Sequence, residues 1–213
     1  IIVLPKVLNK RFASTTASSM TMVNKRTPHK MLKPLLPAGF QRMMIQGNVG
    51  VLELCYKLPS EITDNTPLLI VAHPHPLHGG SFHNKVVQTV AKAGAELSAL
   101  VVCFNFRGVG ASEGEFDHGH GERYDLLAVV EFALSHWGQR ALWLSGFSFG
   151  AWMSALVADR LQPQQLLLVA PPVSLYPMER VNLSAFKLTV IQGSEDEVVD
   201  ARQVMQWSQQ QQA

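Results

Sequence analysis

The alternation of apolar and polar positions changes character near residue 40. Residues 1–40 show no sustained periodicity and carry prolines at 5, 28, 34 and 37, so this stretch is expected to be poorly ordered. Beyond it the pattern is regular. Two strand-like runs, 42–46 and 51–58, flank Gly47-Asn48-Val49-Gly50, which reads as a hairpin. Residues 68–72 form a continuous apolar run that stops at a Pro/His/Gly cluster. Helical spacing follows at 84–97, then an apolar, β-branched run at 99–106. A second helical pattern at 122–136 leads to a strand at 141–144. Residues 149–161 read as a helix ended by Pro163, and 165–170 as a strand ended by Pro171-Pro172. A last strand at 188–192 precedes a helix over 200–210, with Asp200 as its N-cap.

From residue 68 onward strands and helices alternate, and the strands are apolar throughout. That pattern predicts an α/β fold, a mostly parallel sheet with helices on both faces. The leading hairpin adds antiparallel edge strands. One domain over 41–213 is expected, preceded by the 1–40 extension, and no internal repeat is visible.

Charge sharpens the division. Of the 18 Lys and Arg residues, eight lie in residues 1–52, which carry no acid; the other ten face all 16 carboxylates, a net of −6 over 53–213. The folded part is therefore mildly acidic, which argues against nucleic acid as a partner. The segment 11–19 is basic, Ser/Thr-rich and acid-free. It reads as a tail or as upstream sequence read in by mistake, with Met20 or Met22 as the true start, and an organellar transit peptide is the alternative. No run reaches the roughly 18 apolar residues of a membrane span, so no membrane association is expected. Cys55 and Cys103 each lie in a strand-like run and read as buried free thiols. Two cysteines make no disulfide framework, so a reducing, cytoplasmic location is the default.

The densest chemical signal is Gly146-Phe147-Ser148-Phe149-Gly150. A bare Gly-x-Ser-x-Gly is weak, but this one joins an apolar strand to a helix with no spacer. The serine must turn sharply out of the strand, and Gly146 and Gly150 let strand and helix approach without Cβ clashes. Ser148 is the expected nucleophile, and the Phe149 N–H at the helix start the first oxyanion donor. The second donor is expected in the loop His73-Pro74-His75-Pro76-Leu77-His78-Gly79-Gly80. Pro74 and Pro76 have no N–H, which leaves His75 or Leu77, with His75 preferred. The histidines at 73, 75, 78 and 83 match no standard zinc spacing, so neither a metal nor a cofactor is expected. Asn105–Gly114 carries glycines that fail the dinucleotide pattern and reads as a tight loop. Arg107 in that loop and His73 at the strand end are expected at the active-site rim. Among the four carboxylates of 195–200, Asp196 is the expected acid that orients an imidazole.

These blocks resemble a family of small, lidless α/β-hydrolases related to dienelactone hydrolases and acyl esterases. The likeness covers residues 40–213 and rests on residues 73–80, 105–116 and 146–150, with 193–199 similar to the family's acid loop. It implies the α/β-hydrolase fold and a serine hydrolase of small-molecule esters or thioesters, with Ser148 as nucleophile and Asp196 as acid. The chain departs from that pattern at one point: no histidine follows His136, whereas the base should follow the acid. Three readings stay open: a C-terminal strand, helix and histidine beyond residue 213, a non-catalytic binding protein of the same fold, or an upstream histidine in the base's place. Peptidase activity is a lesser alternative.

Overall fold

The computed structural model describes residues 2–4 and 36–212. Among these residues eight strands form one sheet: β1 (Ile2–Leu4), β2 (Gln41–Gln46), β3 (Val51–Lys57), β4 (Leu68–Ala72), β5 (Leu100–Phe104), β6 (Leu142–Phe147), β7 (Gln165–Val169) and β8 (Leu188–Gly193). Their spatial order is β1-β8-β7-β6-β4-β5-β3-β2. All neighbours are parallel except β2 with β3 and β3 with β5. The mostly parallel sheet with an antiparallel N-terminal hairpin is the expected α/β-hydrolase architecture.

Among the described residues four α-helices cover the sheet: α1 (Lys85–Glu96), α2 (Glu122–Trp137), α3 (Phe149–Leu161) and α4 (Ala201–Gln210). Core residues divide between the two faces. Leu68, Ile70 and Ala72 of β4 pack with Leu126, Met153 and Val204 from α2, α3 and α4. The intervening Leu69 and Val71 pack with Val87 and Ala91 of α1. Every β4 residue is thus buried, which is why the run reads as apolar without alternation. Strands β7 and β8 differ. Leu167, Val169, Thr189 and Ile191 remain half-buried, because α1 is the only α-helix on that face among the described residues. A groove of about 450 Å³ lies there, lined in part by Leu69, Val90, Trp143 and Ile191.

The N-terminal extension departs from the sequence reading. Residues 2–4, placed in the poorly ordered extension, form β1 beside β8. Ile-Val-Leu is a good strand former and β8 offers an edge of unpaired backbone groups. Residues 36–40 of the extension are also ordered, with Phe40 buried in the core, while residues 1 and 5–35 lie outside the described residues. Cys55 and Cys103 are buried free thiols, and they are also cross-strand partners in the β3–β5 ladder. The contact with Cys55, and then burial, push the Cys103 thiol well above its ordinary range.

The topology creates the site. The chain steps from β4 to β5, then crosses back over β4 to β6. The loops after β4 and β6 therefore diverge at the carboxyl ends of adjacent strands, where open α/β sheets bind ligands.

Candidate active site

Ser148 stands between the last residue of β6 and the first of α3, with φ 53° and ψ −116°. For a residue with a Cβ this left-handed conformation costs roughly 1–3 kcal/mol. The surroundings impose it. The Ser148 N–H bonds the Val169 carbonyl at 2.9 Å, and the Ser148 carbonyl accepts from Ala151 and Trp152. Two glycines allow the close approach. A Cβ on Gly146 would lie 2.1 Å from the Gly150 carbonyl oxygen, and one on Gly150 would lie 2.4 Å from that of Ala72. The first turn of α3 is therefore pressed against the end of β4. Phe149, as the first residue of α3, has no intrahelical acceptor for its N–H.

The loop after β4 meets this turn from the other side. The His75 ring lies 5.4 Å from that of Phe149 and stacks on His78 at 4.3 Å. Its Nδ1 accepts from the Leu77 N–H at 3.2 Å, and its carbonyl accepts from His78 and Gly80. The proton of the neutral ring is thus on Nε2. Partial burial and the neighbouring His78 imidazole lower the His75 pKa. Among the described residues no three His, Cys, Asp or Glu side chains converge as metal ligands would.

His73 and Arg107 are not at the rim. His73 is fully buried beneath the loop. Its Nδ1 donates to the Pro74 carbonyl at 2.6 Å and its Nε2 accepts the Phe106 N–H at 3.0 Å. Burial lowers its pKa to about 4, against the opposing pull of the Pro74 carbonyl. Arg107 is only 6% exposed. Its guanidinium grips Asp125 through two contacts, 2.6 and 2.9 Å, and donates to the Gly121 carbonyl. Its backbone N–H also bonds Asp125, at 3.0 Å. Burial raises the Asp125 pKa even against this guanidinium, while the carboxylate raises that of Arg107. The contact lengths are those of a formed ion pair, held at a desolvation cost. Both residues support the site from below.

Asp196 follows β8. Its Oδ1 accepts the Val198 and Val199 N–H groups at 2.8 and 3.0 Å, and its Oδ2 accepts the Gln192 amide at 3.2 Å. The carboxylate is thus oriented by its own loop. Residues outside the sequence-derived set also gather here. Phe116, Trp152 and Tyr176 surround Phe149 at ring-centroid distances of 5.7 to 5.9 Å. Trp152 stands four residues after Ser148 on α3, a spacing that already places it on the same helix face. Tyr176 and Phe116 lie in long connections with no local signal.

The family described as serine aminopeptidase, S33, matches residues 75–189, a span that holds the loop after β4 from His75 onward and the Ser148 turn. An α/β serine hydrolase without lid from Xanthomonas campestris is 43% identical and superposes with a TM-score of 0.74, covering 82% of this chain and 80% of that one. An α/β serine hydrolase homologue from Coxiella burnetii is 44% identical, with a TM-score of 0.76 and 84% of each chain covered. An uncharacterized protein of Rickettsia prowazekii is 35% identical over 145 residues, 66% of this chain. The alignment spans 61% of that relative's length. A strained serine at the switch point of a mostly parallel sheet, and a family match over more than half the chain, agree. This chain belongs to the serine aminopeptidase S33 family of α/β-hydrolases.

Proposed function

We propose that the protein is a serine hydrolase that cleaves carboxylic esters or thioesters through an acyl-enzyme at Ser148. The observation that carries this reading is the Ser148 backbone, held at φ 53° between β6 and α3. Strain of this kind is retained where it presents a side chain for use. In the proposed reaction Ser148 Oγ attacks the acyl carbon while a base takes its proton. The oxyanion is stabilised by the Phe149 and His75 N–H groups. Collapse expels the alcohol or thiol, which takes a proton back, and water then releases the acid. Asp196, with two backbone donors on Oδ1, would hold the imidazole base in one tautomer.

The reading requires that imidazole, and none of the eight histidines follows Asp196 in the 213 residues. The second reading is a binding protein of the same fold that performs no acyl transfer. A fluorophosphonate probe on the protein produced from its complete coding sequence separates the two. Labelling at Ser148, with turnover of p-nitrophenyl acetate lost in Ser148→Ala by about 10³-fold or more, is the expected result. A folded protein that neither labels nor turns over is the binder. Faster cleavage of aminoacyl p-nitroanilides than of esters would instead support the peptidase in the family's description.

A further inference from the structure

We propose that Phe116, Trp152 and Tyr176 form a subsite beside Ser148 for an uncharged aromatic group of the substrate. The proposal rests on the ester-hydrolase reading for its reaction, though not for its binding. Three separate segments deliver these rings to the first turn of α3. Phe116 comes from the β5–α2 connection, Tyr176 from the β7–β8 connection, and Trp152 from α3 itself. They centre on Phe149, whose own ring is fully buried. Tyr176 stacks on Trp152 with centroids 4.2 Å apart and planes 18° from parallel. The Phe149 contacts are steeper, at 57° to Phe116, 70° to Tyr176 and 74° to Trp152.

The cluster departs from ordinary core packing in two ways. A core cluster is closed to solvent, and its polar atoms are satisfied. Here Phe116 and Tyr176 stay half-buried beside a half-buried Ser148, although one face of Tyr176 is covered by the indole. The Trp152 residue is only 8% exposed, and its Nε1–H has no acceptor among the described residues. A buried donor without a partner is costly, so the indole edge is not a fully satisfied core group.

The walls are also stiff. Gly119 has φ +93°, and a Cβ there would lie 2.5 Å from the indole Cζ3, so backbone is packed on the ring edge. Buried Glu122 fixes that backbone by accepting the Asp117 and Gly119 N–H groups at 2.7 Å each. Half-buried rings held this stiffly order a flat group packed against them at low cost. The same buried Glu122 carboxylate disfavours an anionic one.

The test compares ethyl phenylacetate with ethyl acetate, and 2-phenylethyl acetate with ethyl acetate, on the full-length protein. The expected result is a kcat/KM preference for at least one aryl ester of about tenfold or more, as burial of one ring implies. That preference should fall at least about fivefold in Tyr176→Ala and survive in Tyr176→Phe, which keeps the ring. Equal kcat/KM for all three esters, or a preference untouched by Tyr176→Ala in a protein with native circular dichroism, overturns the proposal. Binding is read separately by saturation-transfer NMR of 2-phenylethanol on the Ser148→Ala protein. A signal from the ring protons that Tyr176→Ala removes supports the subsite even if no ester is hydrolysed. No ring signal there overturns it even if Ser148 proves to be the nucleophile.

Discussion

At the scale of single residues, the Ser148 turn works by what it omits. Gly146 and Gly150 touch backbone at 2.1 and 2.4 Å measured from a notional Cβ, and neither contact has a flexible partner that could yield. Gly150→Ala is therefore expected to push α3 off the end of β4. The expected cost is about 1–3 kcal/mol of stability, as for overpacking elsewhere. The loss in fluorophosphonate labelling rate should be larger, about 10²-fold, because the nucleophile moves with the helix. Gly193→Ala is the control, since a Cβ there has nothing within 4 Å. Urea unfolding and labelling rates of both variants check this, and equal behaviour of the two would remove the steric argument. The turn was legible in sequence because strand, serine and helix are contiguous. His73 and Arg107 were misplaced at the rim for the opposite reason. The groups that bury them, the Phe106 N–H and Asp125, lie 33 and 18 residues away, beyond any local pattern.

At the scale of elements, the connection between β5 and α2 carries the wall of the site without secondary structure of its own. Its order comes from buried polar anchors. Arg107 ties its start to Asp125 inside α2, and Glu122 at the head of α2 holds Asp117 and Gly119. On the other side, Glu53 of β3 accepts from Asn105 and from the Ala111 N–H. Asp125→Ala would strand a buried guanidinium and a backbone donor. The expected loss is about 3–5 kcal/mol, as for breaking a buried ion pair from one side. The companion Arg107→Met, Asp125→Leu should recover much of it, because two apolar side chains leave no charge unpaired. Thermal unfolding of the three proteins decides; a single variant as stable as the parent would show that the ion pair holds nothing. Helix positions were legible here to within a residue, from periodicity and from the Asp200 cap. The anchors were not, because Glu53, Glu122 and Asp125 look like ordinary surface charges until the fold buries them.

At the scale of the whole molecule, the unbroken apolar strands already implied a sheet covered on both sides. The incompletely covered face over β7 and β8 was not visible, since coverage depends on where helices dock and not on strand composition. Nor was β1, whose three strand-forming residues are too short a run to read as a strand without β8 beside them. One global property follows from a single buried group. His73 lies in the core under the site, and burial lowers its pKa to about 4 from the ordinary 6.5. Between those values the unfolded chain binds a proton that the folded protein excludes, so unfolding gains as pH falls. The stability due to keeping His73 neutral is complete above about pH 6.5 and is lost progressively down to about pH 4. Two to three pKa units correspond to about 3 kcal/mol. Carboxylates also titrate over this range, so the contribution is read as a difference. In His73→Gln the amide replaces the donor to the Pro74 carbonyl but cannot take a proton. That variant is expected to be less stable than the parent at pH 7, through poorer packing, and to lose stability less steeply between pH 6.5 and 4. The two unfolding curves, measured in urea at each pH, should therefore converge on acidification. Parallel curves would mean that protonation of His73 is not what acid acts on.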